Sequence, residues 1–287
     1  MTRTRLSLIL AALTAVTALG GCQAVRDLQK VVSSSDKPDV RLRDVQLRGL
    51  TLTGATLDFE VDVSNPYDVD LPLLDTTYAL ASRGEPFLKG SADLGRTVPA
   101  GGTSTMVLPV DVTFAGLLDA LSGVKPGAVV PYNAAFDVAV DAPALGRITV
   151  PVRHRGELPV PTPPSVSLDS IAWDEVGFSN VDATLKLNIT NLNDFPLDLN
   201  DLGFDLALAG TRIADARIQR STSLKSDKAT SLSIPISFAP GDVGMAILSV
   251  IRGSDASYDL KGNLAASTPF GPVDLPFQQS GRTRFAR

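Results

Sequence analysis

Leu57, Phe59, Val61 and Val63 alternate with Asp58, Glu60 and Asp62, the period of two that gives a strand one buried and one wet face. The alternation stops at Ser64-Asn65-Pro66. There an Asn side chain can bond its own backbone and a Pro cannot donate to a ladder. An apolar Leu71-x-x-Leu74 follows. The whole pattern returns 126 residues later. Ala183, Leu185, Leu187 and Ile189 keep the phase, Thr190-Asn191 replaces Ser64-Asn65, and Leu197 stands where Leu71 stands. The polar partners do not match, since Asp58, Glu60 and Asp62 become Thr184, Lys186 and Asn188. Apolar positions that persist while charges are exchanged predict a core face backed by a solvated one, so the acidic triplet reads as surface and not as a site.

The offset of 126 holds along the rest of the chain. Val40, Leu42, Val45, Leu47 and Leu50 match Val166, Leu168, Ile171, Trp173 and Val176. The phase change between Leu42 and Val45 recurs between Leu168 and Ile171, which predicts a bulge in the first strand of each copy. Tyr78, Leu80 and Gly84 match Phe204, Leu206 and Gly210, a strand ending in a turn. Met106, Leu108, Val110 and Val112 match Leu232, Ile234, Ile236 and Phe238. Pro109 and Pro235 interrupt these last strands on the off-phase, which places both on sheet edges, where a missing donor faces water.

A short helix is predicted next in each copy, from Leu117, Leu118 and Leu121 before Gly123 and from Ile247, Leu248 and Ile251 before Gly253. Each copy then ends in a hairpin. Phe136, Val138 and Val140 return as Ile148, Val150 and Val152 around Pro143 and Gly146; Tyr258, Leu260 and Leu264 return as Val273, Leu275 and Phe277 around Pro269 and Gly271. Six or seven strands and one helix in about 120 residues is the inventory of a β-sandwich. The fold class predicted is therefore mostly β, as two tandem immunoglobulin- or fibronectin-like sandwiches, each with one short helix. Between them, residues 158–164 (LPVPTPP) read as a semi-rigid polyproline-type spacer of about 3 Å per residue that separates the domains.

The N-terminus adds a different kind of signal. Arg3 and Arg5, an apolar run from Leu6 to Leu19, and Gly20-Gly21-Cys22 describe a secretory leader too short to span a bilayer. Leu19-Gly20-Gly21-Cys22 resembles the bacterial lipobox, which implies that Cys22 is diacylated and becomes the first residue of the mature chain. Gln23 in place of Asp resembles cargo sorted to the outer membrane, facing the periplasm. Residues 22–37 are then a tether, 38–157 the first module and 165–287 the second. Cys22 is the single Cys, so no internal disulfide forms and each module stands on its hydrophobic core. Loss of residues 1–21 takes the formal charge from −5 to −7. That excludes the basic footprint nucleic acid requires and leaves the acyl chains, not charge, to hold a membrane. An apolar fraction of 44% with 20% charged residues also excludes the disordered, highly hydrophilic class of desiccation proteins.

The alternation ending in Asn65-Pro66, the apolar Leu71 and Leu74, Tyr78-x-Leu80 closed by Gly84, Val98-Pro99, and the strand from Val107 to Val112 around Pro109 together resemble the type 2 late embryogenesis abundant proteins. Their module is also called the WHy domain, for water stress and hypersensitive response. The resemblance covers both copies, and copy two departs from it at Leu192 for Pro66 and at Leu224-Lys225 for Val98-Pro99. It implies an immunoglobulin- or fibronectin-like sandwich with one helix, no catalytic residues, and a part in tolerance of drying.

Candidate chemistry is sparse. His154 is the single histidine, lies between Arg153 and Arg155, and has Gln279 near its place in copy two; it reads as exposed polar surface. No Ser-His or Cys-His pair, zinc-spaced cluster or phosphate-binding Gly-Lys loop can be assembled from the sequence. Asp68 and Asp70, with Asp198 and Asp201, could lend loop carboxylates to calcium but lack a ligand loop of fixed spacing. The expectation is thus of no catalytic residue, cofactor or metal, with Asn65, Pro66 and Asn191 as structural turn residues. Two non-catalytic readings remain, a lipid-anchored protector of client proteins or membrane surface, and an adaptor whose apolar groove between sheet and helix holds a lipid or a peptide.

Overall fold

Ten to fourteen residues of alternating burial make up most of the strands, and each copy folds them in the same order. The computed structural model describes residues 37–287 apart from 144, 240, 242–246, 248, 253–254, 284 and 287. Cys22, Gln23 and residues 1–36 as a whole lie outside the described residues. Copy one comprises β1 (Asp39–Arg48), β2 (Gly54–Ser64), β3 (Leu71–Ser82), β4 (Glu85–Val98), β5 (Thr103–Thr113), α1 (Phe114–Ala120), β6 (Val129–Ala142) and β7 (Gly146–Pro159). Copy two comprises β8 (Ser165–Val176), β9 (Val181–Thr190), β10 (Leu197–Leu208), β11 (Thr211–Leu224), β12 (Ala229–Phe238), β13 (Ala256–Thr268), β14 (Gly271–Thr283) and β15 (Phe285–Ala286). Residues 247 and 249–251 are helical, and Ile247 and Val250 are buried.

In copy one the order β1-β2-β5 faces β4-β3-β6-β7; in copy two β12-β9-β8-β15 faces β11-β10-β13-β14. This is the fibronectin-like sandwich, written twice. Leu57, Phe59, Val61 and Val63 are all buried, and Phe59 meets Phe136 of the opposite sheet edge to face at 4.7 Å. Such a ring pair adds about 0.5–1.5 kcal/mol to its area burial.

The predicted bulges are present at the repeat offset. Pairing of β1 with β2 shifts between Leu42 and Asp44, and pairing of β8 with β9 shifts between Leu168 and Ser170. Pro109 and Pro235 lie in β5 and β12, each the outer strand of its sheet. The β3–β4 and β10–β11 turns also share one backbone path. Arg83-Gly84 has φ of 51° and 91°, and Ala209-Gly210 has 47° and 79°. Two consecutive left-handed residues make the turn whose twist matches a hairpin.

Two expectations need correction. The acidic triplet is not uniformly wet: Asp58 is buried at 7% exposure and grips the Arg48 guanidinium, with Nη2 donating to Oδ1 at 2.8 Å and Nε paired to Oδ2. In copy two the same two positions hold Asp174 and Thr184, whose hydroxyl donates to the carboxylate at 2.7 Å. The position therefore keeps a polar pair while exchanging its chemistry. The Pro-rich stretch, expected as a semi-rigid spacer, begins instead as part of copy one's sheet. Leu158 and Pro159 complete β7 opposite Val130 and Val129, the Val160 N–H donates to Ala128 O at 2.9 Å, and both Leu158 and Val160 are buried. Apolar side chains every second residue carry the strand through prolines whose missing donors lie on an edge.

Asn193 then fastens this segment to copy two. Its amide donates to Thr162 O at 3.0 Å while its Oδ1 accepts the Thr162 N–H at 2.8 Å. The Asp194 N–H donates to Gly127 O at 2.8 Å, and the Gly127 N–H to Val160 O at 2.6 Å.

Candidate functional site

Asn65 ends β2, and its carboxamide ties the two sheets together. Oδ1 accepts the Tyr67 N–H at 3.0 Å; Nδ2 reaches the carbonyls of Val69 at 2.8 Å, Val98 at 3.1 Å and Pro99 at 3.0 Å. Two amide hydrogens serve three carbonyls, so one is shared. Asn191 does the same one repeat on, bonding the Asn193 N–H at 3.0 Å, Phe195 O at 2.8 Å and Leu224 O at 3.1 Å. Both residues are buried, at 3% and 0% exposure. Pro66 lies exposed beside the first hub, and Leu192 is exposed at its place beside the second. With every polar atom committed to backbone, the two hubs hold the end of each sandwich and offer no free group for chemistry.

The loop carboxylates are scattered. Asp70 accepts the Ala100 N–H at 3.1 Å, Asp201 pairs with Arg217 Nε at 2.7 Å, and Asp68 and Asp198 are exposed. Among the described residues no three carboxylates, imidazoles or thiols converge on one point.

His154 is not the exposed surface residue its sequence neighbours suggest. It sits in β7 opposite Ala134, half-buried, with its ring 6.0 Å from Tyr132 and 6.2 Å from Phe59. Burial lowers its pKa. Register explains why: β7 points alternate side chains inward, and His154 falls on the phase of Val152. In copy two Gln279 pairs with Leu260 as His154 pairs with Ala134. Tyr132 beneath it is buried, its pKa pushed up to about 12 by desolvation, and its ring lies on Gly156, where a Cβ would come within 2.6 Å of the hydroxyl oxygen. Tyr258 lies on Gly281 in the same way.

Two clefts open between sheet edges. One, of about 490 Å³, lies between β11 and β12 and is lined by Leu199, Leu202, Ala216, Ile218, Leu232 and Ile234, with Arg217 and Gln219 beside them. The other, of about 540 Å³, lies between β1 and β7 and is lined by Leu42, Val45, Leu47, Leu57, Tyr132 and His154, with Pro269 and Phe270 of copy two at its wall. Neither is the groove between sheet and helix that the sequence suggests. The α1 residues Phe114 and Leu117 are buried, which closes that space in copy one. No helix among the described residues is long and apolar enough to cross a membrane.

The profile of the late embryogenesis abundant protein family (LEA_2) matches residues 60–156 and again 186–281. The chain is 26% identical over 131 residues to the desiccation protectant protein Lea14 homolog of Glycine max, spanning 46% of this chain and 86% of that one. It is 28% identical over 132 residues to the desiccation-related protein PCC27-45 of Craterostigma plantagineum, spanning 45% and 86%. Among solved structures, the Arabidopsis thaliana protein AT1g01470 in solution shares 23% identity over 44% of this chain and 83% of its own, with a TM-score of 0.36. Each curated relative thus matches the length of one module where this chain carries two. By the family profile, which covers both copies, the chain belongs to the type 2 late embryogenesis abundant proteins.

Proposed function

We propose that this protein protects other macromolecules against water loss by non-catalytic contact, as a lipid-anchored pair of sandwiches in a bacterial envelope. Family membership over both copies carries the reading, together with relatives named as a desiccation protectant and as a desiccation-related protein. The physics is compatible. Both Asn hubs are spent on structure, and no metal-ligand cluster exists among the described residues. What remains is equilibrium binding or excluded volume, and both scale with molar amount. The −7 charge after loss of residues 1–21 keeps the protector soluble and opposes its own aggregation as water leaves. Diacylation at Cys22, with the acyl chains in the outer membrane facing the periplasm, concentrates it at a surface.

Two measurements test this. Purified residues 38–287 should preserve a dehydration-sensitive enzyme through drying better than an equal mass of serum albumin, without ATP and in proportion to dose. Cys22→Ala should leave the protein unprocessed or in the soluble fraction; a variant that still sediments with membranes removes the anchor from the proposal. The second reading, lipid handling, is favoured by one observation, the apolar cleft between β11 and β12. A stoichiometric lipid found by native mass spectrometry, with no protection beyond albumin, would put that reading first.

A further inference from the structure

Among the described residues, copy two carries a strand that has no counterpart in copy one. β15 adds in parallel to the outer edge of β8, Phe285 opposite Ile171 and Ala286 opposite Ala172. One repeat earlier those seats are Val45 and Gln46 of β1. Among the described residues β1 pairs with β2 alone, so no described strand takes up the backbone N–H and C=O groups of its other edge. Burial follows the difference: Ile171 and Leu168 are 0% and 6% exposed, whereas Val45 and Leu42 are only partly buried. Beside the open edge lies the 540 Å³ cleft, walled by Leu42, Val45, Leu47, Tyr132 and His154, with Phe270 at one side. Among the described residues, one seat is thus filled by an extended segment and its repeat-related twin is open and apolar.

We propose that the outer edge of β1, with the cleft beside it, binds an extended polypeptide segment by parallel strand addition, an apolar residue of that segment standing opposite Val45. The inference rests on the protector reading and supplies its partner class, the exposed extended segments of a partly unfolded client. Chemistry selects a peptide over an acyl chain. An open strand edge offers a row of donors and acceptors that a backbone satisfies and a hydrocarbon does not. The rim selects little by charge, since Arg43 and Asp44 are both exposed on β1 and Glu157 is exposed across the cleft. A site that reads backbone and apolar alternation, and not sequence, suits clients of many kinds.

The test uses the full chain and a synthetic peptide of residues 280–287 (SGRTRFAR), the segment containing β15. Hydrogen exchange should slow at least fivefold at residues 43–47 on saturation, with binding followed by fluorescence anisotropy. Val45→Asp should abolish both signals. If circular dichroism shows that variant unfolded, Val45→Thr, β-branched and of like shape, should weaken the peptide at least threefold with the melting temperature kept. Protection confined to residues 169–172, meaning exchange into the tail's own seat, overturns the proposal. So does slowing at 43–47 by oleate but not by peptide. The drying assay separates the two levels. If Val45→Thr binds peptide weakly yet protects as the parent does, the β1 site is not where clients are held; if the parent binds peptide at β1 yet protects no enzyme, the site stands and the protector reading falls.

Discussion

A carboxamide has two hydrogens and two lone pairs, and at position 191 all four are in use: Nδ2 donates to Phe195 O and Leu224 O, and Oδ1 accepts both the backbone N–H and the side-chain amide of Asn193. Removing that group strands several buried backbone partners at once, each costing about 1–3 kcal/mol when left unsatisfied. Water can enter more easily at Asn65, which lies beside exposed Pro66 and Val69. Asn65→Ala should therefore cost about 2 kcal/mol and Asn191→Ala about 3 kcal/mol, read from urea unfolding. A loss no larger than that of an exposed Asn→Ala control would contradict the hub.

His154 supplies a pH dependence of definite sign. Burial lowers its folded pKa, so the unfolded chain binds the proton more readily and stability rises with pH across the window between the two values. The contribution is intact above about 6.5, the ordinary histidine value, and is lost as pH falls through the lowered one. His154→Gln, the residue of copy two, should flatten that slope in melting curves taken between neutral and mildly acidic pH. An unchanged slope would mean that other groups set it.

At the scale of elements, legibility followed burial. β2, β5, β6 and their repeats could be read from alternation because one face of each is core. β4 could not. Glu85–Val98 is an edge strand whose burial is mostly exposed or intermediate, so its apolar residues Phe87, Leu88 and Leu94 hold no period of two. β11 escapes for the same reason, and β15, at two residues, is too short to carry a period. The Asn pair was visible through its repeat, but its partners Val98 and Leu224 lie 33 residues on, beyond any local pattern. The clefts were invisible because each is a space between edge strands of two opposed sheets, set by how the sheets pack and not by any local period, and the inward phase of His154 was masked by its flanking arginines. Leu192, which in the sequence is only a departure from the Asn-Pro pattern, belongs to the loop that docks on copy one.

The whole molecule is where that departure acquires a reason. Copy one needs only to end its sandwich at Asn65-Pro66-Tyr67, while copy two at Asn191-Leu192-Asn193 must also hold the linker. Asn193 is fully buried and exchanges two hydrogen bonds with the Thr162 backbone, in the manner of a neighbouring strand. Gly127 completes the joint. With φ of +95° its missing Cβ would lie 2.4 Å from Leu192 O, so copy two approaches copy one only because this residue has no side chain. Two modules joined this way should unfold in one cooperative transition. Gly127→Ala adds a clash to an already left-handed backbone, and Asn193→Ala leaves the Thr162 N–H and C=O unpaired in a part-buried place. Either change should cost about 1–3 kcal/mol at the joint; Gly127→Ala should cost little within either sandwich, whereas Asn193→Ala also removes one of the two donors to Asn191 Oδ1 in copy two. The double variant should resolve calorimetric unfolding into two transitions, one per module, each close to that of its isolated domain. A single sharp transition surviving in the double variant would show that the modules are coupled by something other than this clamp.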